Sequence, residues 1–305
     1  MAEQPPELRR YRTGRSQSAG RGLAALGGLL IGMGVLAAIA FAVVGRGGDD
    51  AAEPATQAVT TGPPPKPVLR IVFPEGFTRK EMAERIEAVN EIAEDKRDIT
   101  TSLAPKAYRR LTSAKTAPQG FRPRKVAHLE GFLFPATYEF TEDTTTRQLV
   151  AKQLEAFARA WGQLDLEFAE SKKLTPYDVL IIASMVEKEV QVPKERPLVA
   201  AVIYNRLKVG LALGIDATIR YGLDIPPTEP IHQSELESDT PYNTRKFLGL
   251  PPTPIANPGL ASLQAAAHPA KVDYLYFVRK ADCKSHFFTA SEQEFLNYSR
   301  AGLNC

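Results

Sequence analysis

The fold is decided by residues 174–193, LTPYDVLIIASMVEKEVQVP. Thr175 can cap a helix, Pro176 suits its first turn, and Asp178 follows three residues after the cap. Pro193 marks where that helix must stop. The stretch therefore predicts a helix of about four turns at 3.6 residues per turn. We expect the rest of the chain to pack around this helix.

The apolar side of the helix carries one carboxylate. Spacings of i, i+3, i+4 and i+7 place four residues on one face: Ile182, Met185, Val186 and Glu189. Glu187 points away from that face. A carboxylate beside apolar side chains and at the negative end of a helix dipole loses stabilisation of its charged form. The pattern predicts a protonated Glu189, although periodicity alone also fits a partly buried glutamate paired with a Lys or Arg.

A family resemblance rests on two motifs in and after this helix. Residues 183–189, ASMVEKE, and residues 201–207, AVIYNRL, resemble the signature of the YceG-like family of endolytic murein transglycosylases (MltG). In that family the second glutamate of the Glu-Lys-Glu motif is the catalytic acid. The resemblance implies that Glu189 has this role here.

Further segments are similar to boxes of the same family, in the same order. Residues 129–138, LEGFLFPATY, differ from its LEGFLFPDTY box at Ala136. Residues 213–222, LGIDATIRYG, lack the Gln and Pro of its LQSDPTVxYG box, and we expect them to form a strand or loop. Residues 240–244, TPYNT, and 249–259, GLPPTPIANPG, are close to its SPYNT and GLPPGPIxNPG segments.

These boxes supply the candidate substrate-binding residues. Tyr242, Asn243 and Thr244 carry neutral groups of the kind that bind sugar hydroxyls and N-acetyl groups. Glu130 and Asp216, polar members of the other boxes, complete the set. The aromatic rings near Glu130 could stack on sugars, but such clusters more often pack in a core.

The proline-rich segment predicts the start of another helix. Asn257 is expected to be its N-cap and Pro258 its first residue, with Leu260, Leu263 and Ala267 within it. Beyond that helix, two alternating runs predict a β-hairpin, and a capping box precedes a last helix.

Composition excludes a nucleic-acid binder. The chain is 44% hydrophobic and 24% charged, with a net charge of +3. Five arginines and two glutamates in residues 1–22 account for that charge, so the remainder sums to zero. No basic run with interleaved aromatic residues occurs in the part expected to fold.

An uncharged segment near the N-terminus predicts a membrane anchor. Residues 23–44 would form a helix of about 33 Å, enough to span the hydrocarbon core of a bilayer. The basic arm 1–22 places the N-terminus in the cytoplasm, and the proline-rich residues 45–67 form a tether to an extracytoplasmic domain. The expected location is therefore the plasma membrane, with a single pass; a cleaved signal peptide is the alternative.

The expected fold is α+β. Residues 68–125 resemble the small LysM-like βα module of the family, with a strand, a Glu-Gly turn and a helix that starts at a Thr78–Glu81 capping box. Residues 126–305 are expected to form a lysozyme-like, mainly helical catalytic domain with strands. LysM-type modules bind N-acetylated glycans, and a simple packing role is the alternative.

No cofactor or metal is expected. The four histidines lack metal-ligand spacing, and neither a Gly-rich phosphate loop nor a Gly-x-Ser-x-Gly motif occurs. Cys283 and Cys305 are the only cysteines, and outside the membrane they could pair.

The resemblance implies a lytic transglycosylase that cuts the β-1,4 bond between N-acetylmuramic acid and N-acetylglucosamine in nascent glycan strands. Its products would carry 1,6-anhydro-muramoyl ends and its partners would be peptidoglycan synthases of elongation or division. The alternatives are a hydrolytic muramidase and a non-catalytic peptidoglycan-binding scaffold.

Overall fold

Helices are the main regular elements of the computed structural model, which describes residues 66–119, 121–122 and 124–302. Four strands accompany them in these ranges, so the α+β class is confirmed. Within the same ranges, no helix combines the length and the apolar character needed to cross a bilayer. The predicted arm, the predicted span 23–44 and the tether up to residue 65 lie outside the described residues.

The first strand and helix form where the sequence predicts them. β1 (Leu69–Val72) alternates buried and exposed side chains, and α1 (Arg79–Arg97) begins with the Thr78–Glu81 capping box. The helix continues through the charged residues 94–97. It can do so because Lys96 and Arg97 lie in its last turn, where cations oppose the negative end of the helix dipole.

A two-stranded sheet connects the beginning of the described chain with its middle. β2 (Thr137–Phe140) pairs antiparallel with β1, with Leu69 opposite Phe140. The pairing crosses the domain boundary predicted after residue 125, so both sides of that boundary share one sheet. The division into two domains stays a prediction. Two helices accompany the sheet: α2 (Pro105–Thr112) and α3 (Thr146–Trp161).

The organising helix lies at the centre of the packed core. α5 (Pro176–Glu189) is capped by Thr175, as predicted, and all its residues from 179 to 186 are buried. A helix that is apolar on every side belongs in the interior. α5 packs against α6 (Arg196–Val209) and α9 (Leu260–Ala267). Two short elements flank α5 along the chain: α4 (Glu167–Ser171) precedes it, and a 3₁₀ turn (Pro193–Glu195) follows it.

The expectation of a strand or loop for residues 213–222 was wrong. α7 (Asp216–Leu223) is a helix of eight residues, which Asp224 ends in a left-handed conformation. Thr218 is fully buried and donates a hydrogen bond to the Ile215 carbonyl oxygen, 2.6 Å away. Two helical turns are too short for their periodicity to be recognised, and tertiary contacts of this kind decide the conformation.

The C-terminal part contains the predicted hairpin. β3 (Tyr276–Arg279) and β4 (His286–Thr289) pair antiparallel, with Arg279 opposite His286. Cys283, in the turn, is disulfide-bonded, and its predicted partner, Cys305, lies outside the described residues. Two further helices complete the described chain: α8 (Gln233–Leu236) and α10 (Glu292–Arg300).

Candidate active site

The central helix delivers Glu189 as its last residue. Ile182, Met185 and Val186 of the predicted stripe are fully buried, whereas Glu189 is only partly buried. None of the ion pairs formed by the described residues includes Glu189. A carboxyl group that is neither fully exposed nor neutralised by a cation can exchange a proton with a ligand.

The surroundings of Glu189 favour its protonated form near neutral pH. Burial is the largest effect and raises the pKa of Glu189 to about 7. Asp216 adds to this increase through charge repulsion. Arg279, the Ala217 backbone N–H and Arg245 act in the opposite direction, because each stabilises the carboxylate. The predicted protonated acid is therefore consistent with the geometry of the site.

Asp216 lies at the N-terminus of α7, next to the acid. Its Oδ1 accepts a hydrogen bond from Arg245 Nε at 2.6 Å, and both side chains are about half exposed. The pair thus presents one negative and one positive group beside Glu189. Of the substrate-binding residues predicted from the sequence, Asp216 is the one whose charge acts on the acid.

Thr244 holds the start of α7 in place. Its hydroxyl oxygen accepts a hydrogen bond from Ile215 N at 3.0 Å and lies 3.0 Å from the Thr218 hydroxyl oxygen. The Thr244 carbonyl oxygen accepts a further bond from Gly214 N. Since Thr244 is buried, its contacts here position α7, and a direct contact with substrate stays a prediction.

Asn243 and Tyr242 also make their hydrogen bonds within the protein. Asn243 is fully buried, and its amide nitrogen donates to the carbonyl oxygens of Leu236 and Ser238 at 2.9 and 2.8 Å. The Tyr242 hydroxyl lies 2.8 Å from the Thr253 hydroxyl oxygen. Substrate binding by these two residues likewise stays a prediction, and the observed contacts shape the loop that carries Arg245.

The β3–β4 hairpin brings Arg279 to the acid. Its register partner His286 is buried and lies 2.8 Å from a carboxylate oxygen of Glu195 through Nδ1. Because Glu195 belongs to the turn between α5 and α6, this contact ties the hairpin to the end of α5. Sequence reasoning missed Arg279, since nothing in its local pattern links it to a helix that ends 90 residues earlier.

Glu130 contacts the other end of α7 and lies in the protein interior. It is 2% exposed. Its oxygens accept hydrogen bonds from Arg79 N at 3.0 Å, Asn257 Nδ2 at 2.7 Å and the Tyr221 hydroxyl at 3.2 Å. Burial raises the pKa of Glu130 to about 7. These contacts connect α1, α7 and the segment before α9, whereas sugar binding by Glu130 stays a prediction.

The expected capping role of Asn257 was wrong. Gly259 is the N-cap of α9, without a side-chain cap. The Asn257 side-chain amide instead makes hydrogen bonds in the protein interior. Its Oδ1 accepts from Gly131 N and Leu133 N at 2.9 and 3.0 Å, and its Nδ2 donates to the Phe77 carbonyl oxygen at 2.8 Å. A buried amide must satisfy its own groups first, and here tertiary partners do so.

The neighbouring Glu187 differs from Glu189. It accepts a hydrogen bond from Gly259 N at 2.9 Å, and its carboxylate lies 3.6 Å from Arg196 Nη2. Glu187 is therefore held by an amide and a cation, whereas no cation of the described residues lies within ion-pair distance of Glu189. Among residues 66–119, 121–122 and 124–302, no cluster of three or more His, Cys, Asp or Glu side chains could hold a metal ion.

Comparisons with known proteins identify a family and several proteins that are similar to this chain. A model of the YceG-like family matches residues 49–301. An endolytic murein transglycosylase of Bacillus subtilis (strain 168) is 38% identical over 154 residues, which are 50% of this chain and 42% of the relative. One from Streptococcus pneumoniae (strain ATCC BAA-255 / R6) is 34% identical over 239 residues, 72% of this chain and 42% of the relative.

A solved structure resembles this fold as well. The crystal structure of a YceG-like protein from Listeria monocytogenes matches with a TM-score of 0.59 and 29% sequence identity, covering 75% of each chain. The chain spans less than half the length of the curated relatives it matches. Because the family model matches most of the sequence, this chain belongs to the YceG-like family.

Proposed function

We propose that this chain is an endolytic lytic transglycosylase of peptidoglycan in which Glu189 is the catalytic acid. The observation that carries the proposal is a partly buried carboxyl group with a pKa of about 7 and no ion-pair partner among the described residues, at the meeting point of α5, α7 and the β3–β4 hairpin. Family membership and the names of the relatives support the same chemistry.

The reaction begins with general acid catalysis. Protonated Glu189 gives its proton to the glycosidic oxygen between N-acetylmuramic acid and N-acetylglucosamine, and the bond from that oxygen to the muramoyl C1 breaks. The muramoyl C6 hydroxyl oxygen then bonds to C1, and its proton returns to Glu189. No water is consumed, and the product has a 1,6-anhydro-muramoyl end.

A single carboxylate suffices for this reaction. Glycosidases use a second carboxylate as a nucleophile or to activate water. Here the nucleophile belongs to the same sugar, so proximity replaces the second group. Between the two proton transfers Glu189 is a carboxylate, and Arg279 and Arg245 stabilise that state. Asp216 disfavours it and so promotes the return of the proton.

The proposal extends to the cellular setting. Residues 23–44 would anchor the chain in the plasma membrane with the N-terminus in the cytoplasm, and the proline-rich tether would hold the catalytic part near newly made glycan. Cleavage there would terminate strands during wall synthesis, next to synthases of the elongation or division machinery. The LysM-like part would contact N-acetylated glycan.

The test compares Glu189→Gln with Glu187→Gln. The first variant removes the proton donor and should abolish cleavage of un-crosslinked glycan, while its thermal unfolding stays close to wild type. The second leaves the acid in place and should retain cleavage, because glutamine still accepts the Gly259 hydrogen bond.

Mass spectrometry of the products separates the alternatives. Anhydro ends support a transglycosylase, and reducing ends would indicate a hydrolytic muramidase. Saturable glycan binding without new ends would indicate a non-catalytic scaffold. Full activity of Glu189→Gln would mean that another residue is the acid.

A further inference from the structure

A cavity lies at the end of the α5–α6 pair that is remote from Glu189. Its volume is about 790 Å³, within the range of ordinary ligand sites. The rings of Phe168 and Tyr204, 5.4 Å apart, contribute to its apolar wall together with Leu250. Three lysines also line it, Lys172, Lys208 and Lys271, and we name it the lysine pocket.

The lysine pocket is positively charged. Its three lysines are exposed, and none of the ion pairs among the described residues includes them. Among the residues that the structure describes, Asp178 is the one carboxylate in its lining. That carboxylate is engaged in the cap of α5, where it accepts hydrogen bonds from the Thr175 backbone N–H and hydroxyl, both at 2.7 Å. The pocket therefore suits a ligand that combines carboxylates with apolar groups.

The pocket and the acid are at opposite ends of one helix. Asp178 precedes Glu189 by eleven residues, which is about 16 Å along α5 at 1.5 Å per residue. The loop from Arg245 to Leu250 begins beside the acid and ends in the pocket lining. Between its ends, Phe247 and Leu248 are 44% and 67% exposed, so the path offers apolar surface to a bound chain.

We propose that the lysine pocket binds the peptide stem of a glycan whose muramoyl unit lies at Glu189. This inference rests on the proposed function and deepens it. The sugars of such a glycan are neutral, and its carboxylates belong to the stem. A stem of five residues, fully extended, spans at most about 17 Å, which matches the separation along α5. The lysines then pair with stem carboxylates, and the rings pack against the apolar side chains of the stem.

The test uses two glycans that differ only in their stems. One is un-crosslinked glycan with intact stems, and the other is the same preparation after an amidase has removed them. Wild-type protein should show a KM about tenfold lower for the stem-bearing glycan, since three exposed charge pairs together amount to about one order of magnitude in affinity. This advantage should shrink as salt is added, because exposed charge pairs are screened.

The decisive variant replaces Lys172, Lys208 and Lys271 with glutamine. It should raise KM about tenfold for stem-bearing glycan and leave kcat and the KM for stem-free glycan unchanged. The matched control changes the same number of charges on exposed lysines outside both the pocket and the LysM-like part, Lys152→Gln, Lys194→Gln and Lys284→Gln. That control should keep the preference of the wild type.

Equilibrium binding to Glu189→Gln protein separates failure of this inference from failure of the proposed function. If wild-type protein cleaves neither glycan but Glu189→Gln protein binds the stem-bearing one more tightly in a lysine-dependent manner, the proposed activity is wrong and the pocket assignment stands. The pocket assignment is overturned if the protein binds the two glycans with equal affinity. It is also overturned if the triple variant loses the same amount of affinity for both glycans.

Discussion

The pH dependence of cleavage tests the central physical claim about Glu189. A rise of its pKa from the ordinary value of 4.5 to about 7 means that the free energy of ionisation increases by about 3 kcal/mol. At pH 7 about half of the molecules then carry the proton, against about 1 in 300 for an ordinary glutamate. A general acid must be protonated to act, so activity is expected to fall as pH rises above about 7.

The assay is kcat/KM for un-crosslinked glycan between pH 5 and pH 9, from the rate at which new ends form. The alkaline limb should show one apparent pKa near 7 and a tenfold loss per pH unit beyond it. Two neighbours should move this limb in opposite directions. Asp216→Asn removes a repelling charge and should shift it to lower pH, and Arg279→Gln removes a stabilising charge and should shift it to higher pH.

Two results would refute the reasoning. A profile that stays flat to pH 9 would mean that no group with a pKa near 7 acts as the acid. A shift of the same sign in Asp216→Asn and Arg279→Gln would mean that the two substitutions act through the fold rather than through charge. Thermal unfolding of each variant at pH 7 serves as the control for folding.

Three further predictions concern local geometry. Ala217→Pro removes an N–H that stabilises the Glu189 carboxylate at a first-turn position that tolerates proline, so the alkaline limb should move to higher pH in the same assay. Glu130→Ala leaves buried donors without an acceptor and should lower the free energy of unfolding by about 1–3 kcal/mol in urea titration; an unchanged value would contradict this. Gly131→Ala places a Cβ 2.7 Å from Pro254 Cγ, at a residue whose φ is +88°. This substitution should lower the free energy of unfolding by about 1–3 kcal/mol in the same titration.

The sequence predicted the central helix because its signals are local. A cap, a first-turn proline, an apolar run and a terminal proline lie within twenty residues, and each acts through its own neighbours. The same holds for the Thr78–Glu81 capping box and for the hairpin. Glu189 could be proposed as the acid because its position on that helix follows from the 3.6-residue period, and the family resemblance supplied the proposed role.

The rest of the site depends on contacts between distant segments. Arg279 reaches Glu189 because a hairpin is tied down by Glu195 and His286, and no periodicity encodes that. Asn257 has every local mark of an N-cap, but tertiary donors and acceptors satisfy its amide instead. α7 was missed for a similar reason, since eight residues give too little periodicity to outweigh the turn-like residues in the segment.

The interior contacts of Asn257 limit how this protein can be shortened. Deleting the chain before residue 99 would remove both the Phe77 carbonyl oxygen and the Arg79 amide. Asn257 would then lose a hydrogen-bond acceptor, and Glu130 would lose a hydrogen-bond donor. It would also strip β2 of the strand beside it. A minimal version of the protein should therefore retain β1 and α1. This holds whether or not these two elements bind sugar.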